Sequence, residues 1–296
     1  MSFYLLSFFL RSLRWRILLF PIKKIPSLTI FSVFMSGTLL NYLIPIRAGE
    51  LAKALLLKKN QKLATSSTLP TVFIDKLFDL LPVILLFFLL PFLKVSISYT
   101  VLMILTSVLG IFLLLLILLI IALVKKNFTI WILKTIFFWL PGNIKDHIHR
   151  FLELFIEGMG VIKHSIKLIP SAVFFTLLAL VSDTLYMIYI FKAFSVPLSF
   201  ITALFAYTLI NLSYVLPTPP AQIGSNEMVW VIIFTATFGF EINLVSAIEA
   251  FVHIITGALI ITVGALSSTL LGLTLKETFK TQLPGVREGG EGNKQK

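Results

Sequence analysis

Long apolar stretches fill this chain, and the polar breaks between them predict its elements. A helix needs about 20 apolar residues to cross the hydrocarbon core of a bilayer. Four stretches meet that length: Leu69–Leu93, Ile97–Val124, Ile169–Phe194 and Ile242–Leu273. Two more, Ser27–Leu57 and Ser199–Phe238, are interrupted by Pro, Gly and polar residues where a continuous helix would be expected. A different period governs residues 144–166. Ile144, Ile148, Phe151, Phe155, Met159, Ile162 and Ile166 recur at steps of three and four, with charged residues on the other faces. That pattern predicts an amphipathic helix lying in the cytoplasmic interface. Phe128–Leu140, with Trp131 and Trp139, is expected to join it.

The basic residues set the orientation. Lys125, Lys126, Lys134, Lys145, Arg150, Lys163 and Lys167 crowd one long connection, and Lys276, Lys280 and Arg287 crowd the tail. Cytoplasmic loops collect such residues, so both are read as cytoplasmic. Counting back places Lys58, Lys59 and Lys62 on the same side, and Arg11 to Lys24 are equally basic. Ser27–Leu57 must then enter the membrane and return. Ser199–Phe238 does the same from the opposite face. The N-terminal apolar run Phe3 to Leu10 precedes Arg11, Arg14 and Arg16, the reverse of a secretory signal. It reads as a short membrane helix, with Trp15 at headgroup level.

Composition narrows the class. Of 296 residues, 58% are hydrophobic and 13% charged, and 25 Lys+Arg against 13 Asp+Glu give a net charge of +12. A soluble domain carries about 25% charged residues. This chain could not cover a water-facing surface. A soluble enzyme, a nucleic-acid-binding domain and a disordered chain are therefore excluded. The absence of cysteine excludes disulfides, thiolate metal sites and thiol nucleophiles. The fold class expected is an all-α polytopic membrane protein. It combines an inverted repeat, two re-entrant or broken helical hairpins and the interfacial helix. Residues 1–275 form one membrane domain, and 276–296 a polar, disordered cytoplasmic tail.

The two breaks share an order of residues: Asn, then Pro, then Gly, then Glu. The first holds Asn41, Pro45, Arg47, Gly49 and Glu50; the second holds Asn211, Pro217, Gly224 and Glu227. Broken segments entering from opposite faces are the signature of an inverted repeat, with a binding site where they meet. Two Pro-kinked helices are the plainer alternative. Irregular backbone at membrane depth must be buried in protein or line a wet cavity. Each break therefore implies a polar interior.

Charges inside a membrane each need a reason. The Arg47 guanidinium is a planar fork that suits phosphate, and a helix restarting at Gly49 directs free N–H groups into the same space. An internal Arg47–acid pair is the competing and compatible reading. Glu227, in the first turn of the restarting helix, is expected to cap it, with a cationic group or a proton as the alternative partner. Asp75, Lys76 and Asp79 form a paired or solvated cluster near the cytoplasmic end of their helix, with lining of a headgroup entry as the alternative. Asp183 sits in mid-span. Glu249 and His253, at i,i+4, are read as a buried hydrogen-bonded pair, with a proton relay as the alternative. No metal site is expected, because two ligands are too few and no HExxH occurs. Gly264, Ser268 and Gly272 form a small-residue stripe for close helix packing, within the chain or across a homodimer.

The run Asn41–Glu50, an N-x3-P-x-R-x-G-E element, continues into Asp75-Lys76-Leu77-Phe78-Asp79. Together they resemble the flippase-like family, also called the lysylphosphatidylglycerol synthase transmembrane region family. The later element, Pro217 to Glu227, follows the family order of prolines, glycine, glutamate, with Ala221-Gln222 where Pro-Gly is frequent. The likeness covers roughly Arg11 to Leu273. It implies a multi-pass protein of the cell membrane that moves a phospholipid or lipid-linked headgroup between leaflets. Its partner would be a lipid with an anionic headgroup, engaged by the residues of the two breaks with Asp75 and Asp79. No cofactor and no nucleic acid are expected. The family's usual first helix is expected to be shortened or absent here, and no aminoacyl-transfer domain is expected to follow, so synthase activity does not carry over. The alternatives are a membrane-embedded glycosyltransferase-like enzyme acting on a polyprenyl-linked sugar, and a non-catalytic subunit serving a separate lipid-modifying enzyme.

Overall fold

The computed structural model describes residues 1–44, 48–89, 99–124, 135, 166–213 and 218–272. Among these residues the secondary structure is helical, with no strand. The first half comprises α1 (Ser2–Leu19), α2 (Ser27–Leu43), α3 (Gly49–Gln61), α4 (Thr65–Phe78), α5 (Leu81–Leu89) and α6 (Tyr99–Val124). The second comprises α7 (Ile169–Ala193), α8 (Phe200–Ser213), α9 (Ser225–Ile232) and α10 (Ile242–Leu270), with a π turn at Ile233–Thr237. The helices α7 and α10 are long and apolar enough to cross a membrane. The expected interfacial helix of residues 144–166 and the tail after 276 lie outside the described residues, but for Ile166 in a 3-10 turn that leads into α7.

Proline chemistry explains the breaks. Ile44 closes α2 in an extended conformation (φ −112°, ψ 126°), as a residue preceding proline must. The expected single span Leu69–Leu93 is instead divided at Asp79-Leu80 into α4 and α5. Pro82 has no N–H to donate to the carbonyl of Phe78, and its ring crowds that carbonyl, so the helix parts there. The consequence is chemical: Asp79 is left at a helix end, free to turn toward α1. In the second break Ala221, Gln222 and Gly224 all have positive φ, and α9 restarts at Ser225 behind Gly224.

Three hydrophobic clusters result among the described residues, the smallest joining Leu39 and Tyr42 of α2 to Ile260 of α10. Another joins Trp15 and Leu19 of α1 to Ile30 and Phe34 of α2, Leu56 and Leu57 of α3 and Val72 of α4. The third gathers the aromatic stack of Phe191, Trp230 and Phe234 with residues of α5 to α10. Trp15 is fully buried, and its indole N–H donates to Thr71 Oγ1 at 3.1 Å. It is therefore a core residue and not an interfacial anchor: the helix around it is enclosed by α2, α4 and α7.

The charges of α1 are enclosed with it. Arg14 is buried and donates from Nε to Asp75 Oδ1 (2.7 Å), from Nη2 to Asp79 Oδ1 (2.6 Å) and from Nη1 to Thr176 Oγ1 (3.3 Å). Arg11 pairs with Asp183 Oδ2 at 2.7 Å and donates to Tyr207 at 3.2 Å. The mid-span Asp183 thus has its partner on α1. Meanwhile Leu28, Phe88, Ile254 and Leu270 are exposed on the outside. Charged residues inside and large apolar residues outside is an arrangement that suits lipid as the surrounding solvent.

Small residues let helices approach closely. A Cβ on Gly49 would collide with the carbonyl of Gly37 and with Asn41, so α2 and α3 cross backbone to backbone. A Cβ on Gly264 would lie 2.6 Å from that of Leu39, and Ser268 Oγ donates to Ser36 Oγ at 3.1 Å. The small-residue stripe therefore packs α10 on α2 within the chain. Gly272 does not belong to it: it follows the helix end with φ +70° and open space around it, the position of a left-handed helix stop.

Replacing Arg14 by Met strips the cation from two enclosed carboxylates, and a loss of about 3–5 kcal/mol is expected. The Lys76→Met change, at a side chain 44% exposed, should cost no more than ~1 kcal/mol. Unfolding of both variants in detergent micelles measures the contrast. In the same assay Gly264→Val should cost about 1–3 kcal/mol by overpacking against Leu39, whereas Gly110→Ala, with nothing within 4 Å, should be neutral or better.

Candidate functional site

A cavity of about 450 Å³ opens between the two interrupted segments. Its volume lies within the range of small-molecule pockets. Apolar walls come from Phe8, Phe34, Leu77 and Ile260, while Arg11, Lys53, Lys76, Glu50 and Asp79 bring charge to one part and Asn226 and His253 bring polarity to another.

The first cluster begins with the Asn41 clasp. Asn41 Oδ1 accepts from the backbone N–H of Gly49 at 2.8 Å, and its Nδ2 donates to Glu50 Oε1 at 2.9 Å. One side chain thus satisfies the first free amide of α3 and orients the adjacent carboxylate. Glu50 receives two cations: Lys53 Nζ on Oε2 and Lys76 Nζ on Oε1, each at 3.1 Å. Lys76 also reaches Asp79 Oδ2 at 3.0 Å, which joins the cluster to Arg14. The ammonium of Lys53 lies 3.9 Å from the centroid of Phe34, a cation–π contact for a charge that burial would otherwise penalise. Around Glu50, three cations (Arg14, Lys53, Lys76) meet three carboxylates (Glu50, Asp75, Asp79). The network is balanced, with the Lys76 ammonium at its open edge.

The second cluster lies where α9 meets α10. His253 Nδ1 is 2.6 Å from Glu227 Oε1, and its Nε2 is 2.7 Å from the carbonyl oxygen of Ala221. Asn226 Nδ2 donates to Glu249 Oε1 at 2.8 Å. The expected Glu249–His253 hydrogen bond does not form, because Glu249 Oε1 stands 3.8 Å from Nδ1. Nor does Glu227 cap α9: one oxygen is on His253 and the other has no partner. The restart of α9 turns Glu227 toward α10, so it meets a histidine 26 residues away. Tyr42 of α2 packs edge-on against that ring, with centroids 6.4 Å apart.

Of the residues expected from the sequence, Asn41, Glu50, Asp79 and Asn211 line the cavity. Gly49 lies behind it at the α2–α3 crossing, and Asp75 is buried on Arg14. Glu227 reaches it through His253, which is a lining residue. Gly224 supplies a left-handed turn before α9 and touches no neighbour with its would-be Cβ. Pro45, Arg47 and Pro217 lie outside the described residues. Sequence reasoning missed Lys53, Arg11, Tyr207 and Asn226. Lys53 carried a usable signal, an ammonium inside an otherwise apolar stretch and three residues from Glu50. Arg11 did not, since a basic residue after an apolar run looks the same whether it flanks lipid or is folded inward.

Comparison with known proteins identifies the family. The model of the lysylphosphatidylglycerol synthase transmembrane region matches residues 1–264. No curated protein and no solved structure matches the chain. The match spans every element that builds the cavity, from α1 to most of α10, and the chain belongs to the lysylphosphatidylglycerol synthase transmembrane region family.

Proposed function

We propose that this protein moves a phospholipid or a lipid-linked headgroup between the leaflets of the cell membrane. The observation that carries the proposal is the cavity with ionic walls, within a protein that exposes many large apolar residues among those described. A lipid tail can stay in the bilayer while the headgroup crosses through such a space. Headgroup phosphate is suited to the Lys76 end, where an ammonium stands 44% exposed at the edge of the network. It already binds two carboxylates, so an arriving phosphate exchanges with them and needs no bare buried charge. Arg47, three residues before Glu50 in the chain, would add the guanidinium fork.

The membrane arrangement follows the same reading. The pairs α2–α3 and α8–α9 are two re-entrant hairpins entering from opposite faces, related as inverted repeats, with the C-terminus cytoplasmic. Support comes from the tight α2–α3 crossing at Gly37 and Gly49 and from the lining residues that both pairs contribute. Charge balance in the cluster around Glu50 supports a site for a headgroup that arrives and leaves, since permanent capture would call for unpaired cations.

The test is translocation in reconstituted vesicles. A fluorescent phospholipid is followed by quenching from one side only. A chain carrying both Arg47→Ala and Lys76→Gln should translocate at least ~10-fold more slowly, about 1.4 kcal/mol in the barrier, with its unfolding temperature within a few degrees of the parent. A fluorescent diacylglycerol, which lacks phosphate, should be unaffected. An unchanged phospholipid rate in the double variant would remove the role assigned to this end of the cavity.

A further inference from the structure

The second cluster has a chemistry that headgroup binding does not use. A carbonyl oxygen only accepts, so the contact with Ala221 fixes a proton on His253 Nε2. At 2.6 Å, Nδ1 and Glu227 Oε1 need a proton or another cation between them; with the proton gone, Nδ1 presents a lone pair to that space, and Glu249 Oε1 stands 3.8 Å from it. Three lone-pair donors converge, with their candidate ligand atoms all within 4.8 Å of one another. Two carboxylates share this space, and among the described residues neither is paired with a lysine or arginine. Glu249 is fully buried, and its Oε2 has no hydrogen-bond partner; Glu227 Oε2 is likewise enclosed and unpartnered. Such atoms carry a large desolvation cost unless a cation answers them.

We propose that Glu227, Glu249 and His253 bind a divalent transition-metal cation, with zinc as the reference ion, on the wall of the cavity. Bonds of about 2.0–2.1 Å in a tetrahedral site separate ligand atoms by roughly 3.3 Å. The 2.6 and 3.8 Å separations from His253 Nδ1 bracket that value, and all the candidate ligand atoms lie within 4.8 Å of one another, so side-chain rotation would close the site without moving the helices. The outer contacts are also those of a metal site. A ligating histidine ordinarily gives its other ring N–H to a carbonyl or carboxylate, as His253 does to Ala221, and Glu249 is oriented by Asn226. One imidazole with two carboxylates suits zinc, manganese or cobalt better than calcium or magnesium. Three protein ligands leave one position, and because His253 and Asn226 line the cavity, that position can be taken by water or by an anionic oxygen.

Metal binding is read without any transport assay, so its outcome is separate from that of the translocation experiment. The full chain, purified in lipid nanodiscs and stripped with chelator, is titrated with Co²⁺. One equivalent per chain with visible absorption bands that Zn²⁺ abolishes is the expected result. Glu249→Gln and His253→Gln should each weaken binding at least ~100-fold, while Glu241→Gln, on an exposed carboxylate beside the same helix, should not. A variant lacking His147, His149 and His164 should bind as the parent does. Absence of stoichiometric binding by the parent would overturn the proposal. So would binding that survives both cluster substitutions, or that disappears with His147, His149 and His164. Glu249→Gln preserves side-chain shape, so the test stands even where His253→Gln perturbs folding.

Discussion

The structure turns on keeping charge inside an apolar envelope, and Arg14 is where that constraint is met first. Its guanidinium spans two carboxylates that arrive on α4, one from the helix body and one from its broken end. Without the break before Pro82, Asp79 would lie within a continuing helix and could not be freed in this way. Each ionic partner of the first cluster depends on the next: Arg14 on Asp79, Asp79 on Lys76, Lys76 on Glu50, and Glu50 on Asn41. Desolvation makes every member costly alone and tolerable together. The cavity is the space this chain of contacts borders.

The same constraint acts on the other side with a different outcome. There the acids outnumber the bases. Arg11 settles Asp183, but Glu227 and Glu249 have only an imidazole between them. One polar wall is therefore electrically complete and the other incomplete. That asymmetry, within one cavity, is what distinguishes its two polar walls.

Much of the architecture was legible in the sequence because lipid imposes so few solutions. Continuous apolar length gave the extents of α6, α7 and α10 to within a few residues. Proline and glycine marked both interruptions, and the Asn41–Glu50 element marked the site where the α2–α3 clasp is built. What escaped is equally physical. Basic residues near the N-terminus read as a membrane flank, since one-dimensional patterning cannot distinguish an arginine that meets phosphate headgroups from one that meets Asp75 and Asp79. The burial of Trp15 escapes the pattern for the same reason. Glu249 and His253 stand one helical turn apart, which suggested a local pair. The longer-range partner Glu227 prevailed because the left-handed turn at Ala221, Gln222 and Gly224 swings α9 toward α10. Such a turn leaves only a weak trace in composition.

The crossing of Gly37 and Gly49 restricts how the protein can change shape. With backbone touching backbone and Asn41 latching the start of α3, neither helix can slide or roll on the other without losing that fit. The two must travel as one stiff lever. Any reshaping of the interior is thereby left to the other junctions between helices.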